Sequence, residues 1–226
     1  MADKRYDNFA QWNEDMLKKF DLEHYHANSN FAVRFIESAR VKSILKFIEA
    51  REGDEIIEIG CGAGDIIGRA ERGNLTGVDI SPYILGVARR RYPRVKFVAG
   101  NAEELPAEIA QKRYDKIICS EVIEHVENPD KVLAEIKRLA KKESVVVVSV
   151  PNEGLIDGVK KVLQMTGMFG RFFPKFSQKM TEEWHLHRFS LAKLKGIAQR
   201  DYVIQKVKRI PFWWLPLRYV AKMKIK

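Results

Sequence analysis

Cysteine is scarce in this chain: Cys61 and Cys119 are the only two among 226 residues. Two thiols exclude a disulfide framework as the source of the fold and point to a reducing compartment. Also missing is any apolar run near the roughly 18–20 residues that a membrane-spanning helix needs. The opening residues, Met1-Ala2-Asp3-Lys4-Arg5-Tyr6-Asp7, lack the apolar core of a secretory signal, so a cytoplasmic location is expected. No internal repeat or low-complexity tract divides the sequence. A single domain over residues 1–226, long enough to bury a full core, is the expectation.

Acids are scarce in the second half. Residues 131–226 hold 21 Lys/Arg against 7 Asp/Glu, whereas residues 1–130 hold 19 against 23. The overall charge of +10 therefore sits on the C-terminal side. Such a surface suits an anionic neighbour, either phospholipid head groups or nucleic acid, or is simply a lysine-rich solvated face.

What is abundant is β-branched residues next to glycine. Glu55-Ile56-Ile57-Glu58-Ile59-Gly60-Cys61-Gly62-Ala63-Gly64-Asp65 reads as a buried strand running into a turn stripped of Cβ atoms, then a helix over 64–71. A backbone of that kind bends sharply and offers its N–H groups to a ligand. A second strand ends on Asp79, 19 positions after Gly60, where a carboxylate can accept hydrogen bonds from ribose hydroxyls. Further strands are predicted near 95–100, 114–120, 144–150, 202–209 and 217–225, with helices near 82–92, 129–141 and 190–200. This alternation predicts an α/β fold: a doubly wound, Rossmann-like, seven-stranded and mostly parallel sheet with helices on both faces.

Two regions depart from the alternation. Residues 1–50 carry apolar residues at helical spacing and are expected either to fold over the pocket as a helical lid or to pack on the sheet edge. Residues 152–184 form an insertion after the fifth strand. It begins with an amphipathic helix bearing Lys160 and Lys161, followed by Phe169, Phe172, Phe173 and Phe176 interleaved with Arg171, Lys175 and Lys179. Phe212, Trp213 and Trp214 form a similar aromatic group in a hairpin-like segment. An insertion of that length and composition is expected to be functional, on the acceptor side.

The glycine pattern alone is shared with nicotinamide and flavin enzymes, but those favour G-x-G-x-x-G. Here Asp65 stands where the third glycine would, and a carboxylate at that point disfavours a pyrophosphate. More specific are four motifs in order: Glu58–Gly64; Gly77-Val78-Asp79-Ile80-Ser81; Asn101-Ala102-Glu103-Glu104-Leu105-Pro106; and Tyr114–Val126. Over residues 54–151 the chain resembles the class I S-adenosylmethionine-dependent methyltransferases. The resemblance implies S-adenosylmethionine as cofactor. Gly60, Cys61, Gly62 and Gly64 would lie under its methionine part and Glu58 near the ammonium. Asp79 would hold the ribose, Ile80 would pack on the adenine, and Asn101, Ala102 and Glu103 would border the adenine edge. Ser120 and Glu121 would close the methionine end.

Methyl transfer needs alignment, and a hydroxyl acceptor also needs its proton removed. Glu121, Glu124 and His125 share one face of a helical turn, and the segment His185-Leu186-His187 brings another imidazole. The E-x-x-E-H pattern is similar to the metal-bearing motif of ubiquinone-pathway O-methyltransferases and, with His187 added, to that of small-RNA 2′-O-methyltransferases. Glu121, Glu124, His125 and His187 are therefore expected as catalytic residues and as ligands of a divalent cation (Mg²⁺, Mn²⁺ or Zn²⁺); alternatively, His125 acts as a metal-free base. Expected partners are a small-molecule acceptor, a lipid such as a quinone precursor among them, and peripheral contact with an anionic membrane. An RNA substrate is the second reading, and a non-catalytic cofactor-binding role the third.

Overall fold

The computed structural model describes residues 9–19, 31–167 and 184–226. The Phe169–Phe176 aromatic cluster of the insertion lies outside the described residues. Two helices come first, α1 (Phe9–Lys19) and α2 (Phe31–Ile48). Then follow β1 (Glu55–Ile59), β2 (Asn74–Asp79), α3 (Pro82–Arg91), β3 (Lys96–Ala99), a short α4 (Ala107–Ala110) and β4 (Tyr114–Ser120). The chain continues through α5 (Pro129–Leu139), β5 (Ala140–Pro151), α6 (Glu153–Met165), α7 (Leu191–Ala198), β6 (Tyr202–Pro211) and β7 (Pro216–Ile225).

The seven strands form one sheet in the order β3-β2-β1-β4-β5-β7-β6, parallel except for β7, which runs antiparallel to both neighbours. Chain order reverses on either side of β1, and a parallel sheet opens a ligand crevice at such a point, beyond the strands' C-terminal ends. The continuous apolar runs of β1 and β5 follow from burial on both faces: Ile56, Ile57, Ile59 and Val146–Val148 are fully buried. On one face Val41, Ile44, Phe47 and Ile48 of α2 pack with Leu85 and Ala88 of α3. On the other, Val132, Leu133, Ile136 and Leu139 of α5 pack with Leu194 and Ala198 of α7.

Two helix starts follow their caps. Ser81 accepts from the Ile84 N–H ahead of Pro82, and Asn128 accepts from Asp130 and Lys131 ahead of Pro129. The helix expected over 64–71 is instead a loop with one 3₁₀ turn at Ile67–Arg69. Gly64 is in the left-handed region (φ +81°), and Glu58 Oε2 accepts from the Ile67 N–H at 2.9 Å, satisfying that donor without a regular helix. The aromatic segment at 212–215 is the turn of the β6–β7 hairpin. Among the described residues, no helix is long and apolar enough to cross a membrane.

Candidate active site

Backbone builds the first side of the site. The N–H groups of Gly60 and Cys61 both donate to Val78 O, at 2.7 and 2.9 Å, folding the turn over the end of β2. Asp79 locks it there: Oδ2 accepts from Gly62 N at 2.8 Å and Oδ1 from Ser81 N at 3.0 Å. Gly60 has φ +70°, and a Cβ at that position would stand 2.2 Å from Val122 Cγ2. Gly62 has φ +51° but open space around its missing Cβ. The first glycine therefore serves close packing, and the second keeps the cavity clear.

The turn borders a cavity of about 300 Å³. Gly60, Cys61, Gly62, Asp79, Ile80 and Ala102 line it, as do Glu58, Asn101 and Ser120. Gly64 does not; a Cβ there would touch Phe97 and Tyr92. Nor does Glu103, whose Oε1 instead accepts from the Glu127 N–H at 2.8 Å. Asp65 reaches the cavity, but with Arg69 and Arg91 each 3.9 Å away and Tyr92 Oη at 3.4 Å. Two guanidinium groups thus offset the charge that the sequence argument set against a pyrophosphate.

Glu58 is buried, and burial pushes its carboxyl up to about 8. Burial likewise raises Asp79 above the usual carboxylate range, against the pull of its backbone N–H partners. Both acids favour a cationic guest. Arg40, from the middle of α2, is the cavity's buried base. It donates to Glu37 from Nε at 3.0 Å and Nη2 at 2.5 Å, and to Ser120 Oγ from Nη1. Despite the cost of burial, Glu37, Glu121 and Glu58 keep its guanidinium charged.

Side chains from distant segments build the other side. Past the end of β4, Glu121 stands at φ +55°, an uncommon conformation for a residue with a side chain. Its Oε1 accepts from Ser149 Oγ at 2.9 Å and its Oε2 lies 2.6 Å from Arg218 Nε. Glu124 is 1% exposed, and its Oε2 has no hydrogen-bond partner. Burial, then repulsion from Glu121, raises this carboxyl well above its ordinary range. The Glu124 carbonyl accepts from Leu186 and His187 N–H groups, pinning the 184–187 segment beside the cavity.

That pinning brings imidazoles together. His125 Nδ1 lies 3.2 Å from Trp184 O, and its ring packs on Trp184 and, edge-on, on His185. Burial, then the neighbouring His185, depresses His125 to about 3. His185 also lines the cavity, and its Nδ1 stands 2.6 Å from Oε1 of Glu153, a carboxylate that is 1% exposed. His187 does not join them. Its Nε2 lies 3.1 Å from Glu127 O, and its ring is not among the cavity's walls.

Of the four residues expected to share a cation, Glu121, Glu124 and His125 face the cavity, but Glu121 is held by Arg218. The metal-capable cluster among the described residues is Glu124, His125 and His185, with donor atoms within 4.8 Å of one another. One oxygen and two imidazole nitrogens fit a borderline cation such as Zn²⁺, and the unpartnered Glu124 Oε2 is a donor in waiting.

Several residues escaped the sequence reading: Asn13, Glu37, Arg40, Trp184 and Arg218 in the cavity wall, and Glu153 behind His185. For Arg40 a signal existed. Glu37 and Arg40 are three apart on the same helix face as Val33, Val41 and Ile44, and an ion pair inside an apolar stripe marks a function. For Glu153 and Arg218 no local pattern marks them out.

A family model described as a methyltransferase domain matches residues 50–204. A ubiquinone biosynthesis O-methyltransferase from Alkalilimnicola ehrlichii is 32% identical over 190 residues, 81% of this chain and 74% of that protein. Its namesake from Dechloromonas aromatica is 35% identical over 125 residues, and the match spans only about half the length of each, 50% here and 53% there. Among solved structures, magnesium protoporphyrin IX methyltransferase from Synechocystis PCC 6803, with S-adenosylhomocysteine bound, superposes with a TM-score of 0.67. At 17% identity over 97% of both chains, that is a likeness of fold. With the glycine turn, the acid after the second strand and the 3-2-1-4-5-7-6 sheet already in place, these matches show that the chain belongs to the class I S-adenosylmethionine-dependent methyltransferases.

Proposed function

We propose that this methyltransferase carries the methyl group of S-adenosylmethionine to a hydroxyl on a lipophilic small molecule, with His185 as proton acceptor and Glu153 holding it in place. The carrying observation is the buried Glu153 held against His185, whose ring lines the same cavity as the glycine turn. The cofactor's roles follow the walls. Gly60, Cys61 and Gly62 run beneath the methionine, with Gly64 tightening the turn from behind. Glu58 takes the ammonium, Arg40 the carboxylate, and Asp79 the ribose hydroxyls. Ile80 covers the adenine, with Asn101 and Ala102 at its edge. Ser120, through Arg40, closes the methionine end.

The sulfonium is already a strong electrophile, so the protein's work is alignment and one proton. As the acceptor oxygen bonds to the methyl carbon, the carbon–sulfur bond breaks and S-adenosylhomocysteine forms. The hydroxyl proton passes to His185 Nε2, since Nδ1–H is committed to Glu153. The imidazolium so formed sits against a carboxylate that has lost its water, where the attraction is strong. His125 stays neutral and steadies the ring of His185.

Phe9, Leu17, Val122, Val126 and Trp184 give the acceptor end an apolar wall, which suits a quinone precursor or a polyprenyl or glycolipid head. The relatives named as ubiquinone O-methyltransferases support the same class. Helix α1 lies across the mouth, with Asn13 Oδ1 accepting from Trp184 Nε1 at 3.1 Å, and acts as a lid.

A second reading rests on Glu124 Oε2, which lacks a partner. A divalent cation held by Glu124, His125 and His185 would lower the pKa of the acceptor hydroxyl in place of a base. Chelator separates the two: lost turnover with cofactor still bound supports the cation, and undiminished turnover supports the imidazole. The substrate class is tested by labelling cell extract with radiolabelled S-adenosylmethionine and sorting product into lipid, RNA and protein fractions. Label in the lipid fraction is expected. Label in RNA favours a role for the basic half in tracking phosphates, and label in neither polymer nor lipid favours a soluble acceptor.

A further inference from the structure

Five large aromatic side chains that the site does not use lie together on the outside. Phe31 and Phe35 of α2 have ring centroids 6.5 Å apart, Phe35 and Phe212 6.0 Å, and Phe212 and Trp214 5.2 Å with parallel planes. Trp213 is 78% exposed, Trp214 61% and Phe31 77%. A continuous patch of this kind is unusual on a surface that meets only water.

Its position is informative. Arg218, two residues into β7 from the hairpin turn, lines the cavity and pairs in register with Pro151 at the C-terminal end of β5. From Phe35 the same helix reaches Glu37 and Arg40 in the cavity wall within about one and a half turns. The patch thus borders the end of the sheet where the acceptor enters.

Charge selects the occupant. In the two segments that form the patch, 31–38 and 208–216, the exposed charged residues are Arg34, Lys208 and Arg209. The one acid, Glu37, is buried against Arg40. We propose that the β6–β7 hairpin tip and the first turns of α2 form a docking face for an anionic phospholipid bilayer. Trp and Phe enter the head-group layer, and the three bases meet lipid phosphates. A second copy of this chain fits poorly, because a two-fold contact would set Arg34, Lys208 and Arg209 against their own mates. This face deepens the reading of a lipophilic acceptor by giving it a route of entry, yet it uses none of the site's residues.

The test is co-sedimentation of the full chain with phosphatidylcholine vesicles, with and without phosphatidylglycerol, across a salt series. Binding only to the mixed vesicles, weakening with salt and accompanied by a blue shift of tryptophan emission, is expected. Trp213→Ser with Trp214→Ser should lower the bound-to-free ratio by about tenfold or more. Arg34→Gln should lower it by about fivefold. S-adenosylmethionine affinity, measured by calorimetry, should be unchanged in both variants, showing that they are folded. The proposal is overturned if the wild-type chain ignores anionic vesicles or if the double variant binds them equally well. It is also overturned if light scattering shows a dimer that the double variant dissolves, or if short single-stranded RNA occupies the face instead. None of these outcomes changes which extract fraction takes up label, so the docking face and the acceptor reading fail separately.

Discussion

The β1–β2–β3 side of the sheet and the β4–β5–β7–β6 side meet in one cavity but are built by opposite means. On the first side backbone does most of the work: Gly60 and Cys61 bond Val78 O, and Asp79 bonds Gly62 and Ser81. All of this lies within 24 residues of sequence, from Glu58 to Ser81. On the second side Glu121, Arg218, Glu153, His185 and His125 come from segments up to 97 positions apart and touch through side chains. The difference teaches how each side can be perturbed: the turn is held largely by backbone hydrogen bonds that most substitutions leave in place, whereas the other side depends on side-chain pairs that one substitution removes.

Four predictions would break or sharpen that contrast. The largest concerns the acceptor side. His185→Ala should lower kcat by about 100- to 10,000-fold, the usual range for removing a general base, with cofactor affinity intact. Glu153→Gln should give a smaller loss in kcat and move the pH profile, which a merely structural change would not do. If His185→Ala turns over normally, the proton acceptor has been misassigned.

On the cofactor side, Gly60→Ala should destabilise the fold by about 2–4 kcal/mol, combining overpacking against Val122 with a left-handed backbone. Gly62→Ala should cost far less stability, since nothing lies within 4 Å of its Cβ, but should weaken cofactor binding. Urea unfolding and calorimetry on both variants read the two effects apart.

Asp79→Ala should reduce S-adenosylmethionine affinity by about 1–3 kcal/mol, through lost ribose hydrogen bonds and a loosened turn. Unchanged affinity would remove the ribose assignment.

The smallest effect is a fraction of a proton. The Glu58 carboxyl is raised from 4.5 to about 8 in the folded chain, so folding takes up a proton between those values. Its contribution to stability is present below 4.5 and lost as pH rises through about 8. His125 acts oppositely: lowered from 6.5 to about 3, it contributes stability above 6.5 that is lost as pH falls toward 3. A sulfonium amino acid placing its ammonium beside Glu58 should expel that carboxyl's proton at pH 7. Calorimetry in buffers of different ionisation enthalpy should therefore show proton release, absent in Glu58→Gln.

Much of the architecture was legible because strand burial writes itself into runs of Ile and Val, and glycine and proline punctuate the ends. The seven strand positions and the α3, α5 and α7 helices fall where the pattern puts them. The 64–71 helix does not, because Glu58, a residue outside the segment, satisfies the donor at Ile67. The chemistry was less evenly readable. His125 and Glu124 were visible through their motif, whereas His187 was the imidazole expected from the 185–187 segment, and the backbone pinned by Glu124 O puts His185 in the cavity wall instead. Glu103, expected beside the adenine, is drawn off by the Glu127 N–H.

The amino-acid sequence by itself determined the sheet, the glycine turn and the place of Asp79 beside it, because each depends on contacts between near neighbours or on a burial pattern with a fixed period. Only the tertiary structure decided that Arg40 and Glu37 line the cavity beside the glycine turn, that Glu153 grips His185, that Arg218 restrains Glu121, and that the aromatics of α2 and the β6–β7 hairpin share one face. Those pairings span long separations in the chain, and their geometry is set by how the helices and strands pack rather than by any local periodicity.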